Sequence, residues 1–471
     1  MPVVLTDVDA SAISYALTFI YVKGVEAMAE QPVVVIGAGP LGLAAAAHLL
    51  EQGLTPLVLE AGARPGSAVR EWAHVRLFSA WCELVDPAAV RLLATTGWSM
   101  PADGYPTGGE WVGRYLEPLA AVLGDRVRYG SRVVGVSRRG RDRLVSAGRA
   151  EQPFTVHTVS VDGQEHRLDA AAVIDASGTW SQPNPAGADG YPALGERAAA
   201  ASGHLMYRPP TPAEAEQLVG KHVVIVGSGH SAMTAVVDLT AVMGRQPGSR
   251  LTWVLRRGTV ADTFGGGAAD QLPQRGALGE RARQTVVDGL AELVTGFRLD
   301  RVERAADGLV VVAEDGRALP AADRVVVLTG FRPDLSFLSE MRLELDPVLQ
   351  APARLAPDID PNVHSCGSVP PHGAAQLSHP EPGLYLVGMK SYGRAPTFLA
   401  LTGYEQVRSV AAELAGDHQA AARVELTLPG TGVCGGSGLF DQPDTAAVGG
   451  CCAPAAVGPE FVELTGALPQ R

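Results

Sequence analysis

Apolar residues fall along this chain in short unbroken runs, and two of those runs stop abruptly at glycine. Val33-Val34-Val35-Ile36 breaks into Gly37-Ala38-Gly39-Pro40-Leu41-Gly42, and Val223-Val224-Ile225-Val226 breaks into Gly227-Ser228-Gly229-His230-Ser231-Ala232. Continuous β-branched runs of this length predict strands buried on both faces, as in a parallel sheet. The Ala/Leu-rich stretch behind each glycine cluster predicts a helix, over 41–52 in the first unit. Further strands are expected at Pro56–Glu60, Tyr129–Val136, within 154–168 as an antiparallel set, and at Val173-Ile174-Asp175 running into Ala176-Ser177-Gly178-Thr179. The stretch containing Trp72, Trp81 and Trp98 reads as helices and loops. Arg250–Leu255, 309–313 and 325–329 are expected to complete the second unit. Gly383–Met389 returns the chain to the first, and a helix is expected from about Thr397 to Leu414.

The strand–glycine–helix succession carries chemistry. Glycine permits the tight turn and lets backbone approach a pyrophosphate, whose charge is then held by amides at the helix N-terminus. Two such units, 190 positions apart from Gly37 to Gly227, point to two dinucleotides bound side by side, most economically one flavin and one nicotinamide. Glu60 lies 18 residues beyond Gly42, close to the spacing of about 20 expected of an acid that binds a ribose hydroxyl. The second unit has Arg256-Arg257 after its second strand instead. Arginine there accommodates a ribose 2′-phosphate, which favours NADPH over NADH.

The expected fold is therefore α/β, with two Rossmann-like dinucleotide-binding domains and the nicotinamide domain inserted within a split flavin domain. Residues 31–200 and 355–425 are assigned to the flavin domain and 215–345 to the nicotinamide domain. Residues 1–30 are expected to be a flexible extension. Residues 429–471, rich in Gly, Pro and Ala without apolar periodicity, are expected to be a flexible tail.

Composition narrows the function classes. A length of 471 residues allows two or three domains, and 46% hydrophobic with 19% charged residues is an ordinary globular balance. A net charge of −12 argues against nucleic-acid binding, which needs a basic surface. No apolar run approaches the roughly 20 residues of a spanning helix. Ala12–Val22 is short and follows Asp7 and Asp9 rather than a basic segment, unlike a secretory signal. A cytoplasmic location without membrane partners is expected.

In their order, these landmarks resemble the flavin-dependent monooxygenases over roughly residues 31–420. The resemblance rests on the Gly37 fingerprint with Glu60, Ala176-Ser177-Gly178, the Gly227 fingerprint, Thr329-Gly330-Phe331-Arg332-Pro333 and Gly388-Met389. It implies FAD on Gly37, Gly39, Pro40, Leu41, Gly42, Glu60, Val134, Ala176, Ser177 and Gly178, with Gly388 and Met389 near the isoalloxazine. It implies NADPH on Gly227, Ser228, Gly229, His230, Ser231, Arg256 and Arg257, with Thr329 and Gly330 in the returning link. Ile359–Gly367 and Met389–Pro396 are similar to a bacterial subgroup associated with arsenic-resistance gene clusters. One departure from the wider family is the region before Gly227. Only Gly203-His204-Leu205-Met206-Tyr207 stands where a Phe-x-Gly-x-x-x-His-x-x-x-Phe/Trp signature is usual.

Reduced flavin can pass its electrons to O₂, oxygenating a small soft nucleophile, or to a disulfide. A disulfide reductase needs a redox cysteine pair at the flavin, typically Cys-x-x-Cys, and none is present among Cys82, Cys366, Cys434, Cys451 and Cys452. Cys451-Cys452 on the tail of a neighbouring subunit in a homodimer keeps the reductase reading open, as does a third reading, a redox- or metalloid-sensing flavoprotein. Cys434, Cys451 and Cys452 could together form a three-thiolate trap for a soft ion such as trivalent arsenic. His364, His372 and His379 read as loop histidines without metal-ligand spacing, and Cys366 as structural. Lys390 and Arg394 fall where either could stabilise negative charge on reduced flavin or lie at the surface. No catalytic acid or base stands out.

Overall fold

The computed structural model describes residues 31–426, apart from 103, 245, 259, 261, 262, 271, 362–368 and 397. Strand β1 (Val33–Ile36) is buried on both faces, with Val33 and Val35 in one core and Val34 and Ile36 in another. The helix Pro40–Glu51 follows, with proline at its first position, where the missing N–H costs nothing. Its Ala44–Ala47 segment is buried, and the helix packs against the later helix Ala400–Leu414. The small side chains permit that close approach.

The chain continues through β2 (Pro56–Leu59) and β3 (Val127–Arg128) to an antiparallel trio, β4 (Ser131–Arg138), β5 (Phe154–Ser160) and β6 (Glu165–Ala170). Strand β7 (Ala172–Asp175) then pairs with the free side of β1, Ile36 opposite Asp175. After β8 (Leu205–Met206) come β9 (His222–Val226), the helix His230–Met243, β10 (Arg250–Val254) and β11 (Glu292–Val294). The antiparallel pair β12 (Leu299–Ala305) and β13 (Gly308–Ala313) precedes β14 (Arg324–Val327), and β15 (Leu384–Leu386) returns beside β7.

The two main sheets are parallel, with orders β15-β7-β1-β2-β3 and β11-β10-β9-β14-β8. They are two Rossmann-like units, the second inserted within the first. Strand order reverses at β1 in one sheet and at β9 in the other, and ligands bind at such points beyond the carboxyl ends of the strands. Both glycine turns leave their sheets there. In the second sheet Val223 and Ile225 face one core, Val224 and Val226 the other, repeating the two-sided burial of β1.

The run at 309–313 completes the second unit as a strand, outside its main sheet. It pairs antiparallel with β12, and the pair contributes Leu299, Val302, Leu309 and Val311 to the core on one face of that sheet. The last long helix begins at Ala400. Among the described residues no helix is long and apolar enough to cross a membrane.

Two devices hold the split first unit together, the first of them buried. Glu381, 2% exposed at its side chain, accepts from Arg138 at 2.8 Å and from Arg149 at 2.9 Å, tying the β4 edge to the returning chain. The outgoing and returning links between the units also pair with each other. Asn184 N donates to Gly330 O (2.9 Å), Asn184 Nδ2 to Thr329 O (3.1 Å) and Thr329 Oγ1 to Asn184 O (2.7 Å). Trp180 and Phe331 lie with ring centroids 5.0 Å apart beside this clasp.

Candidate functional site: two glycine turns and the buried centre beside the first

The glycines of the first turn have different jobs. Gly37 has φ +100°, and a Cβ there would stand 3.0 Å from Ala176 O and Ser177 Cα. A Cβ on Gly42 would stand 1.8 Å from Gly37 O. Both glycines are therefore required by the protein's own packing. Gly39 is not: a Cβ there meets nothing within 4 Å. It is the extended N-cap of the helix Pro40–Glu51, with no side-chain cap and no acidic residue in the first turn. Open space before uncapped helix amides is the cradle that a pyrophosphate fills.

Glu60 closes the cradle from the end of β2. Its Oε2 accepts from Ala38 N and its Oε1 from Gly62 N, both at 2.7 Å. A carboxylate has about four acceptor sites, so two remain for ribose hydroxyls. These residues fit FAD: the cradle would take its pyrophosphate and Glu60 its ribose. Val134 lies 47% exposed at the β4 bulge, where pairing shifts between Val133 and Gly135. That bulge lies along the chain from Ser131, whose N donates to Glu60 O at 2.8 Å.

The second turn repeats the design. Gly227 has φ +135° and leaves no room for a Cβ, which would stand 2.2 Å from Leu328 O. The indole of buried Trp253 donates to Gly227 O at 2.7 Å, holding the turn from the adjacent strand. Gly229, an extended N-cap without a side-chain cap, again faces open space. Ala232 fills the third glycine position and is fully buried, which only a small side chain permits. This turn fits a second dinucleotide phosphate. His230 at the helix start packs on Phe78 of the first unit, with ring centroids 5.2 Å apart. Burial, and secondarily Arg275, push His230 down to about 4, so it is neutral near pH 7. Arg256 and Arg257 follow β10; Arg256 Nη1 donates to Ala188 O at 3.1 Å, and Arg257 O accepts from Gly296 N at 2.6 Å.

Where β7 and β15 end, the chain builds a polar centre that sequence reasoning missed in part. Lys390 and Asp175 are both 0% exposed and form an ion pair at 2.7 Å. Lys390 Nζ donates to Ser177 Oγ (2.9 Å), and Ser177 Oγ donates to Asp175 Oδ1 (2.6 Å). The ammonium lies 4.4 Å from the Phe337 ring centroid. The surface reading of Lys390 is thus excluded, whereas Arg394 is exposed. Gly178, next in line, has φ +69°.

Gly388 has φ +70°, and a Cβ there would lie 3.2 Å from Leu41 Cγ, so this turn sits against the first helix's N-terminus. Gly388 N donates to Gln406 Oε1 (2.7 Å), and Gln406 Nε2 donates to Ser391 Oγ (2.9 Å) and faces His372 Nε2 at 2.8 Å. With His372 Nδ1 donating to Pro370 O (3.0 Å), the ring is neutral and accepts the amide at Nε2. Burial lowers its affinity for a proton in the same sense. Met389 is 37% exposed between two buried neighbours. Gln406 and His372 are joined across 34 positions, and no local motif marks the pairing.

Among the described residues no group of three His, Cys, Asp or Glu side chains could hold a metal ion. Cys82 is exposed. His364, Cys366, Cys434, Cys451 and Cys452 lie outside the described residues. His379 is pushed down to about 4 by burial.

Comparison with known proteins agrees with this architecture. The rice (Oryza sativa subsp. japonica) indole-3-pyruvate monooxygenase YUCCA1 is 31% identical over 213 residues, 44% of this chain and 44% of that protein; the match spans less than half the length of the relative. Bacillithiol disulfide reductase Bdr (YpdA) from Bacillus cereus shares the fold at a TM-score of 0.61 and 20% identity, covering 82% of this chain and 99% of that one. A flavin-containing monooxygenase from Stenotrophomonas maltophilia shares it at 0.51 and 23%, covering 82% and 98%. Residues 34–354 match the family described as pyridine nucleotide-disulphide oxidoreductase. The chain belongs to that family of flavin-dependent oxidoreductases.

Proposed function

We propose that this protein is an FAD- and NADPH-dependent monooxygenase that oxygenates a small soft nucleophile, with trivalent arsenicals as its first candidate substrates. The observation that carries this reading is the composition of the centre beside the first glycine turn. Asp175, Ser177, Lys390, Gln406 and His372 occupy it. The sequence contains no Cys-x-x-Cys, and the one described cysteine, Cys82, is exposed. A dithiol relay would need thiols in that centre.

FAD, when bound, would supply the redox chemistry between the nicotinamide and O₂. The chain supplies the rest. Gly39 and Gly229 leave space for two pyrophosphates, and the 2′-phosphate of NADPH is assigned to Arg256 and Arg257, which follow the second strand of that unit as such arginines do. The Lys390–Asp175 ion pair and the Gln406–His372 bonds hold the two backbone turns assigned to the flavin face. The monooxygenase relative supports the reaction class. The similarity of Ile359–Gly367 and Met389–Pro396 to an arsenic-associated subgroup supports the substrate class.

The test is NADPH oxidation by the FAD-loaded full chain with O₂ uptake and product both measured, using arsenite and phenylarsenite among other soft nucleophiles. Oxygen consumed and oxygenated product formed in proportion to NADPH supports the reading. Equal turnover under anaerobic conditions with a disulfide, and none with O₂, would replace it with the reductase reading.

A further inference from the structure

Among the described residues the buried arginines are matched by carboxylates: Arg138 and Arg149 by Glu381, Arg275 by Asp270. The half-buried Arg332 and the exposed Arg394 are not. Arg332, half-buried in the returning link, donates Nε to Asn184 Oδ1 at 2.8 Å and Nη2 to Gly190 O at 3.1 Å. Arg394, four residues beyond Lys390, approaches the same residue: its Nη2 lies 3.7 Å from the position of a Cβ on Gly190. Arg394 N donates to Leu349 O at 2.7 Å, which fixes the backbone that carries it. Neither guanidinium has an ion pair among the described residues. Burial, and next the charge of Arg394, hold Arg332 below its ordinary value. In a chain with 50 acidic against 38 basic residues, two guanidiniums meeting at one glycine without a counter-ion make a positive notch open to an external anion.

We propose that Arg332 and Arg394 form a subsite for the anionic group, a carboxylate or other oxyanion, of the substrate. Planar guanidinium forks match the two oxygens of such a group. Arg332 is pre-aimed by Asn184 and Gly190, while exposed Arg394 is available to close on the ligand. The subsite lies between the link that joins the two units and the segment that follows the Gly388 turn. Arg256 is held at Ala188 O, two residues before Gly190, so the subsite adjoins the position assigned to the nicotinamide 2′-phosphate, and competition with NADP⁺ tells the two apart. This deepens, and in calling the ligand a substrate rests on, the oxygenase reading. Arsenite, uncharged near neutral pH, would not use the subsite, whereas an arsenical carrying a carboxylate would.

Acetate and inorganic phosphate, titrated calorimetrically into the FAD-loaded full chain at constant ionic strength, test it without turnover. Failure here is therefore distinguishable from failure of the oxygenase reading. Wild type should bind the anions, Arg394→Met at least tenfold more weakly, and Arg332→Met/Arg394→Met not measurably. Saturating NADP⁺ should leave binding in place. No binding to wild type, equal affinity in the double variant, or displacement by NADP⁺ would overturn the proposal. The melting temperature of Arg394→Met at low salt should equal or exceed that of wild type, because like-charge repulsion is removed. A fall would mean that Arg394 has an internal role, and would count against the subsite.

Discussion

Replacing Lys390 by Met removes one half of an ion pair that is 0% exposed on both sides. Asp175 is then left charged in the core, with Ser177 Oγ and N as its remaining donors. Breaking a buried pair in this way costs about 3–5 kcal/mol, and the lost bond to Ser177 adds about 1 kcal/mol. Asp175→Asn strands the ammonium instead and should cost a similar amount. The double variant carries no buried charge, so it should be more stable than either single variant. The expected coupling is then about 3 kcal/mol or more, large for a pair of contacting residues. The consequence reaches the site because Val387 N donates to Asp175 O (3.0 Å) immediately before the Gly388 turn. Guanidinium unfolding of the FAD-loaded chain, followed by flavin fluorescence, measures the cycle, and ultrafiltration gives FAD affinity alongside it. Strictly additive losses, or a Lys390→Met variant as stable as wild type, would refute the reasoning.

Replacing both Arg256 and Arg257 by neutral residues should raise KM for NADPH far more than for NADH. Charge-assisted bonds of about 1.5–3 kcal/mol make tenfold or more per arginine the expected loss, and an unchanged cofactor preference would place the phosphate elsewhere. His230 titrates near 4 when folded and near its ordinary 6.5 when unfolded. Between those values the unfolded chain binds more protons, so stability rises with pH across that window and is lost as pH falls through it. His230→Gln should flatten that part of the urea-midpoint profile, and an unaltered slope would contradict the burial of this ring.

Much of the fold was legible because its signals are local. Four-residue apolar runs ending in glycine located β1, β9 and both turns, and the spacing from Gly42 to Glu60 picked out a carboxylate that lies against Ala38 N. The antiparallel pairing of β12 and β13 was not legible, since 309–313 has the same apolar run that a central strand would show. The buried centre was hidden for a different reason. Lys390 and Asp175 are 215 positions apart, joined only when β15 lies beside β7, and a lone lysine after a glycine turn reads equally well as a surface residue. His372 and Gln406 were likewise unreadable as a pair, because their bond depends on how the helix Ala400–Leu414 packs. Which glycines serve packing and which serve the ligand also needed three dimensions: Gly37, Gly39 and Gly42 are one motif, yet only Gly39 faces open space.

That last distinction offers the most direct test of the central claim, that the first turn holds FAD and the second the nicotinamide that reduces it. Because a Cβ on Gly39 or Gly229 meets nothing within 4 Å, Gly39→Val and Gly229→Val should both fold, as circular dichroism would report. Visible absorbance and anaerobic reduction by NADPH then separate the two turns. The account predicts that Gly39→Val is colourless, and that Gly229→Val retains stoichiometric FAD but is no longer reduced at wild-type rates by NADPH. Full FAD occupancy in Gly39→Val, or normal reduction of Gly229→Val, would contradict it.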